Sequence, residues 1–134
     1  NDMEGGQTNE FRPLILVAED DDSNFKLIKA IIGKKCDIQW AKNGEEIVAL
    51  FKEYGNEAKA ILMDIKMPVM NGLDATKIIR GENKEIPIIM QTAYAFSSDK
   101  ENAMNAGASE VLVKPITLSI LRNTLTKYFP ELVW

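Results

Sequence analysis

Histidine is absent from all 134 residues. That removes Ser-His-Asp and Cys-His nucleophile pairs, histidine zinc sites and imidazole acid–base chemistry together. Cysteine occurs once, as Cys36, so no internal disulfide can form and nothing points to an oxidising compartment. No apolar run approaches the ~20 residues that a bilayer span needs, and no signal peptide opens the chain. Basic residues are outnumbered 16 to 20, and the resulting net charge of −4 disfavours contact with nucleic-acid phosphates. No repeat or low-complexity stretch is visible. The expectation is a cytoplasmic segment without direct nucleic-acid or membrane contact, whose chemistry runs on carboxylates, hydroxyls, lysine and any metal they hold.

What is present fits one folded unit. At 134 residues, with 46% hydrophobic and 27% charged residues, the chain has material for one core and too little for two. Residues 1–12 are polar, contain Gly5-Gly6 and lack periodicity, which reads as a linker; residues 13–134 are expected to form the domain. The first residue is not methionine, and with the linker this suggests a segment of a longer protein, although processing or cloning would produce the same start.

From Pro13 onward short apolar runs alternate with amphipathic stretches. Leu14 to Ala18 is a five-residue apolar run of the buried-strand type, and it stops at Glu19-Asp20-Asp21-Asp22. Further strands are predicted at Ile38–Ala41, Ala60–Met63, Ile88–Met90 and Val111–Val113. Between them lie helical patterns: Leu27, Ile28, Ile31 and Ile32; then Ile47, Leu50, Phe51 and Tyr54; then Ala75, Ile78 and Ile79; and last Leu118, Leu121, Leu125 and Tyr128. Asn43 to Glu46 and Ser98 to Glu101 have the form of capping boxes, Asn71 and Thr117 are predicted caps, and Asp21 or Asp22 is expected to cap the first helix. Gly81 and Gly107 are expected to stop helices. Five β-then-α units predict a doubly wound α/β fold, a parallel sheet covered on both faces, with a sandwich carrying an antiparallel edge as the alternative.

In open parallel sheets the ligand site lies beyond the carboxyl ends of the strands. There the sequence places Glu19 and Asp20 after the first strand, Asp64 after the third, Thr92 at the end of the fourth and Lys114 after the fifth. Clustered carboxylates must protonate, recruit a cation or be neutralised by a side chain. Mg²⁺ suits them best, being hard and oxygen-seeking; Asp20 and Asp64 would bind it directly and Glu19 through water. An aspartate beside a metal and a lysine is arranged to attack phosphorus, because both cations neutralise the transferring oxygens. Taken singly, an acid after a strand is as often a helix cap or a solvated loop residue, and only the joint placement carries weight.

Four motifs, Leu16-Val17-Ala18-Glu19-Asp20, Met63-Asp64-Ile65-Lys66-Met67-Pro68-Val69-Met70-Asn71-Gly72, Gln91-Thr92-Ala93 and Val113-Lys114-Pro115, resemble those of the receiver domain of two-component response regulators, from Pro13 to Phe129. The resemblance implies the flavodoxin-like strand order 2-1-3-4-5. It makes Asp64 the phosphoacceptor, Glu19 and Asp20 the acid pair, and the Lys66 main-chain carbonyl a further metal ligand. Thr92 would hydrogen-bond the phosphoryl group, Ala93 would leave it room, Lys114 would pair with its charge, and Lys114-Pro115 would be joined by a cis peptide. Two positions depart from the pattern. Where relatives often carry a mobile aromatic, three residues before the lysine, stands Val111; and two residues after Thr92 stands Tyr94, either a gate at the site mouth or a partly buried loop aromatic.

With no histidine of its own the chain needs a histidine kinase or phosphotransfer domain as phosphoryl donor, and a phosphorylation-dependent homodimer is compatible with the family. The acid pair and linker resemble receivers joined to hybrid sensor kinases, whose parent chain can be membrane-anchored, more than a free-standing regulator. Two other functions compete. A haloacid-dehalogenase-type hydrolase would carry a second aspartate two residues after the nucleophile, where Lys66 stands; a degenerate, never-phosphorylated binding module would lack some of the five site residues.

Overall fold

Strand side chains point to opposite faces at every second residue, so a strand buried on both sides must be apolar throughout. In the computed structural model, which describes residues 11–94 and 98–134, strand β1 (Leu14–Ala18) meets that demand. Ile15 and Val17 enter one core and Leu16 and Ala18 the other, all fully buried. There follow α1 (Asp22–Ile32), β2 (Asp37–Ala41), α2 (Gly44–Tyr54), β3 (Ala58–Asp64), α3 (Gly72–Arg80), β4 (Ile88–Thr92), α4 (Asp99–Ala106), β5 (Glu110–Val113) and α5 (Leu118–Tyr128). Every strand pairing is parallel and the order is β2-β1-β3-β4-β5. This is the expected winding, and the antiparallel-edge alternative is excluded for this sheet.

The two faces are covered by different helices. Phe25, Ile28 and Ile32 of α1 and Leu121 and Leu125 of α5 pack on Ile15, Val17, Leu62 and Ile89. Ile47 and Phe51 of α2, Ile79 of α3 and Ala103 of α4 pack on Leu16, Ile61, Met63, Ile88 and Met90. Chain reversal between β1 and β3 leaves a crevice at their carboxyl ends, where Ala18 and Asp64 stand.

Most predicted caps form. The carboxylate of Asp21 accepts from Asn24 N–H at 2.8 Å, Asn43 accepts from Glu46 N–H at 2.8 Å, Asn71 from Asp74 N–H at 2.9 Å and Thr117 from Ile120 N–H at 3.1 Å. Ser98 does not cap α4: its backbone is helical (φ −67°, ψ −6°) and its side chain makes no capping bond. The box motif there needs an extended residue at the cap position, which the backbone does not supply. Gly107 ends α4 at φ 118°, a conformation that an L side chain rarely adopts.

Three apolar residues that helical spacing grouped with buried ones are exposed: Leu27 at 47%, Ile78 at 41% and Leu118 at 49%. In α1 the buried stripe runs through Phe25, Ile28, Ile31 and Ile32, and in α3 through Ala75, Thr76 and Ile79, so Leu27 and Ile78 lie beyond its edge. In α5 burial begins a turn after Leu118, at Leu121.

Of the stretch read as a linker, residues 1–10 lie outside the described residues. Phe11 packs on Phe129, ring centroids 6.0 Å apart, and Arg12 bonds to Asp37 and to the Lys34 carbonyl. No helix among the described residues is long and apolar enough to cross a membrane.

Candidate functional site

The strand register decides which polar residues meet. Asp64, the last residue of β3, is aligned with Gln91, and Thr92 at the end of β4 with Val113. Backbone bonds carry the alignment past the strand ends: Lys114 N–H donates to the Thr92 carbonyl at 2.8 Å, and Ile65 N–H to the Gln91 carbonyl at 3.2 Å. Lys114-Pro115 is cis, as expected.

These constraints bring three carboxylates together. One oxygen each of Glu19, Asp20 and Asp64 lie within 4.8 Å of one another. Glu19 is fully buried, Asp64 nearly so, and Asp20 is exposed. The Lys114 ammonium lies 2.8 Å from Asp64 Oδ2 and 3.7 Å from Glu19 Oε1. Burial first, and then the charge of Asp64, pushes the Glu19 carboxyl up to about 7. For Lys114, burial acts to lower the pKa. The hydrogen bond and charge of Asp64, with Glu19 and Asp20 behind it, outweigh that, and the net shift is upward.

A cavity of about 200 Å³ opens over this cluster, and Glu19, Asp20, Asp64, Lys66, Thr92, Ala93 and Lys114 all line it. Seven of the nine candidate residues are therefore gathered in one place. Tyr94 is half exposed beside it, with Lys66 Nζ 4.9 Å from its ring centroid. Val111 is part-buried against the α2–α4 core and is not among the cavity residues.

The loop after Asp64 is tightly folded. Gly72 N–H donates to the Ile65 carbonyl at 2.8 Å, and a Cβ at Gly72 would collide with the Asp64 carbonyl oxygen. Met70 N–H donates to the Pro68 carbonyl at 2.7 Å, closing a γ-turn on Val69, whose φ is 70°. A β-branched residue at positive φ is strained.

Sequence reasoning missed several contributors. The Thr92 hydroxyl donates to Asp99 Oδ2 at 3.2 Å and accepts from Tyr94 N–H at 3.1 Å. Gln91 and Asn24 also line the cavity, and Trp40 donates its indole N–H to the Glu19 carbonyl at 2.8 Å. Gln91 stands in a quoted motif without a role given to it there; Asn24, Asp99 and Trp40 lie outside those motifs, because each meets the site through tertiary packing.

The acid cluster fits a hard divalent cation on the structure's own terms. All its donors are carboxylate oxygens, and Glu19 Oε1 is buried with no hydrogen-bond partner among the described residues, an acceptor expensive to leave unmatched.

Comparison with known proteins agrees with this architecture. The family model described as the response regulator receiver domain matches residues 15–126. Hybrid signal transduction histidine kinase I of Dictyostelium discoideum is 38% identical over 129 residues, covering 87% of this chain and 7% of that protein. The chain thus spans a small fraction of the length of the curated relatives it matches. Among solved structures, the receiver domain of sensor histidine kinase PA1611 from Pseudomonas aeruginosa, with a magnesium ion coordinated in its active site cleft, superposes with a TM-score of 0.82 at 30% identity, over 90% of this chain and 99% of that one. The Saccharomyces cerevisiae co-crystal of the histidine phosphotransfer protein Ypd1 with the receiver domain of Ssk1 gives a TM-score of 0.81 at 28% identity, covering 91% and 93%. This chain belongs to the response regulator receiver domain family of two-component signalling.

Proposed function

We propose that Asp64 accepts a phosphoryl group from a phosphohistidine carried by a histidine kinase or phosphotransfer domain, with Mg²⁺ bound, and that the domain signals by the change in shape that follows. One observation carries the reading: a nearly buried carboxylate, Asp64, lies 2.8 Å from a lysine ammonium and within reach of two further acids. Asp20 and Asp64 would hold Mg²⁺ directly, Glu19 through water, and the Lys66 carbonyl would complete the protein's share. Bound there, the ion would neutralise charge on the transferring phosphoryl oxygens. Asp64 supplies the attacking oxygen; its new O–P bond replaces the P–N bond of the phosphohistidine, whose imidazole leaves on the donor, and Lys114 leaves its carboxylate partner to pair with a phosphoryl oxygen. Ala93, with only a methyl group, leaves room beside it.

The Thr92 hydroxyl carries the response. Its proton is now given to Asp99, the first residue of α4. A phosphoryl oxygen on Asp64 competes for that proton, and the exchange loosens the tie between β4 and α4. The segment between Tyr94 and Ser98 includes residues 95–97, which lie outside the described residues.

The donor's approach has a structural basis too. A second cavity, of about 300 Å³, adjoins the first through Asn24, Gln91, Ala93 and Lys114 and is flanked by Leu27, whose 47% exposure offers an apolar contact to an incoming donor. The reading puts the domain in the cytoplasm and makes residues 13–134 the receiver unit, within a parent chain of the hybrid-kinase type. A hydrolase of the haloacid-dehalogenase type is disfavoured because Lys66, whose ammonium lies over the Tyr94 ring, occupies the general-acid position. Acetyl phosphate with Mg²⁺ should add one phosphoryl group per chain by intact mass, with none added in EDTA and no multiple turnover of phosphoesters. Turnover without self-modification would refute the reading.

A further inference from the structure

Glu19 stands where β1 ends and the chain turns toward α1, so its N–H can still reach the neighbouring strand while its carbonyl needs another partner. Its N–H donates to the Ala41 carbonyl at 2.9 Å, and its carbonyl accepts from Trp40 Nε1–H at 2.8 Å. That carbonyl belongs to the planar peptide unit joining Glu19 to Asp20. A donor held against it sets the orientation of the plane, and with it the direction in which the Asp20 side chain departs. The effect falls mainly on Asp20. The buried Glu19 carboxylate accepts from Asp21 N–H at 3.2 Å and faces the Lys114 ammonium at 3.7 Å, whereas Asp20 is exposed and depends on its backbone for aim.

Trp40 is itself fixed. Its ring stacks on Phe25 of α1 with centroids 4.0 Å apart and planes 1° from parallel, and Lys42 Nζ lies 4.8 Å from the ring centroid. Lys42 pairs with Asp22, the first residue of α1, at 3.4 Å. The end of β2 is thereby locked to the start of α1, on either side of the acid pair. An indole placed this way is a rigid donor, and no lighter aromatic provides one with the same reach.

We infer that Trp40 is a positioning residue for the acid pair: its indole N–H orients the Glu19–Asp20 peptide so that both carboxylates face Asp64 before a divalent cation arrives. The inference rests on the proposed metal role of these acids. It assigns Trp40 a task in ion affinity, separate from its packing on Phe25. Preorganisation of this kind strengthens binding by removing a reorganisation cost, and it leaves the chemistry on Asp64 untouched.

Trp40→Phe keeps a ring on Phe25 and removes the N–H. Calorimetric titration of the unphosphorylated variant should show a Mg²⁺ dissociation constant about 3- to 10-fold higher than wild type, the weight of one hydrogen bond. With acetyl phosphate the Mg²⁺ concentration for half-maximal phosphorylation should rise by the same factor, while the rate at saturating Mg²⁺ stays within about twofold. An unchanged dissociation constant overturns the inference, even if thermal stability falls, since a merely structural indole would lower Tm alone. The wild-type protein supplies an independent check. On Mg²⁺ titration the indole Hε1 NMR resonance of Trp40 should shift over the binding range while that of Trp134 stays in place; a Trp40 resonance that does not move overturns the inference whether or not the variant folds. Wild-type protein that binds Mg²⁺ with a moving Trp40 signal yet accepts no phosphoryl group would refute the phosphoacceptor reading and leave this one standing.

Discussion

Replacing Lys114 by methionine keeps the apolar stem and deletes the charge that three carboxylates share. The ammonium lies 2.8 Å from Asp64 and 3.7 Å from Glu19, with side chains 23%, 8% and 0% exposed respectively for Lys114, Asp64 and Glu19. Removing one partner of a fully buried ion pair costs about 3–5 kcal/mol; with Lys114 partly in water, about 2 kcal/mol is the better figure here. For a chain of this length that corresponds to a Tm roughly 6–10 °C lower in EDTA, measured by calorimetry or circular dichroism, with the domain still folded. Mg²⁺ should act in the opposite sense. An ammonium and a divalent cation compete for the same carboxylates, so Lys114→Met should bind Mg²⁺ about 3- to 10-fold more tightly and recover most of the lost stability when it does. Phosphorylation by acetyl phosphate should nevertheless slow by about 100-fold or more, because a preorganised cation at the transferring oxygens has been removed. Tighter ion binding with slower chemistry separates a charge that acts on phosphorus from one that holds the fold. Unchanged stability, ion affinity and phosphorylation together would make Lys114 a bystander, and weaker Mg²⁺ binding would contradict the electrostatic reasoning.

The exit route of the signal is tested by Thr92→Ala, Tyr94→Ala and Val111→Ala: the first two should alter phosphate lifetime or phosphorylation-dependent NMR shifts, and the third should leave the response intact. A response abolished only by Val111→Ala would route the signal through β5. Cys36 is buried and its thiol is pushed from 9.0 up to about 11, chiefly by burial. At pH 8 its thiolate fraction is therefore about 100-fold below that of the unfolded chain, and a disulfide reagent should react slowly until denaturant is added; equal rates would refute the burial. Because the folded pKa is the higher one, Cys36 favours folding fully below pH 9, and that contribution is lost as pH rises toward 11, where a stability titration should show a decline.

The apolar runs made the sheet legible because a strand buried on both faces leaves no choice of residue: Leu14 to Ala18 can hardly be anything else. The site was legible for a related reason. Carboxylates at Glu19, Asp20 and Asp64 are costly together unless something uses them, and a parallel sheet puts all strand ends on one edge. Helix faces were harder to read. Periodicity locates a stripe without telling how far the sheet extends beneath it, and so Leu27, Ile78 and Leu118 share a spacing with buried residues and are themselves exposed. Ser98 matched a cap motif whose backbone condition, an extended φ and ψ, no residue type guarantees. The Thr92–Asp99 and Trp40–Glu19 hydrogen bonds join residues with no pattern between them, and they exist only because β4 meets α4 and β2 flanks β1. Val69 at φ 70° contradicts its own propensity, and only the closed loop around Asp64 accounts for it.

The central claim is that Asp64 itself forms the acyl phosphate. Intact-mass measurement of wild type and Asp64→Asn, after equal exposure to acetyl phosphate and Mg²⁺, tests it most directly. Wild type should gain one phosphoryl group that hydroxylamine removes, and Asp64→Asn should gain none; a variant that gains the same group, to the same extent and with the same lability, would contradict the account.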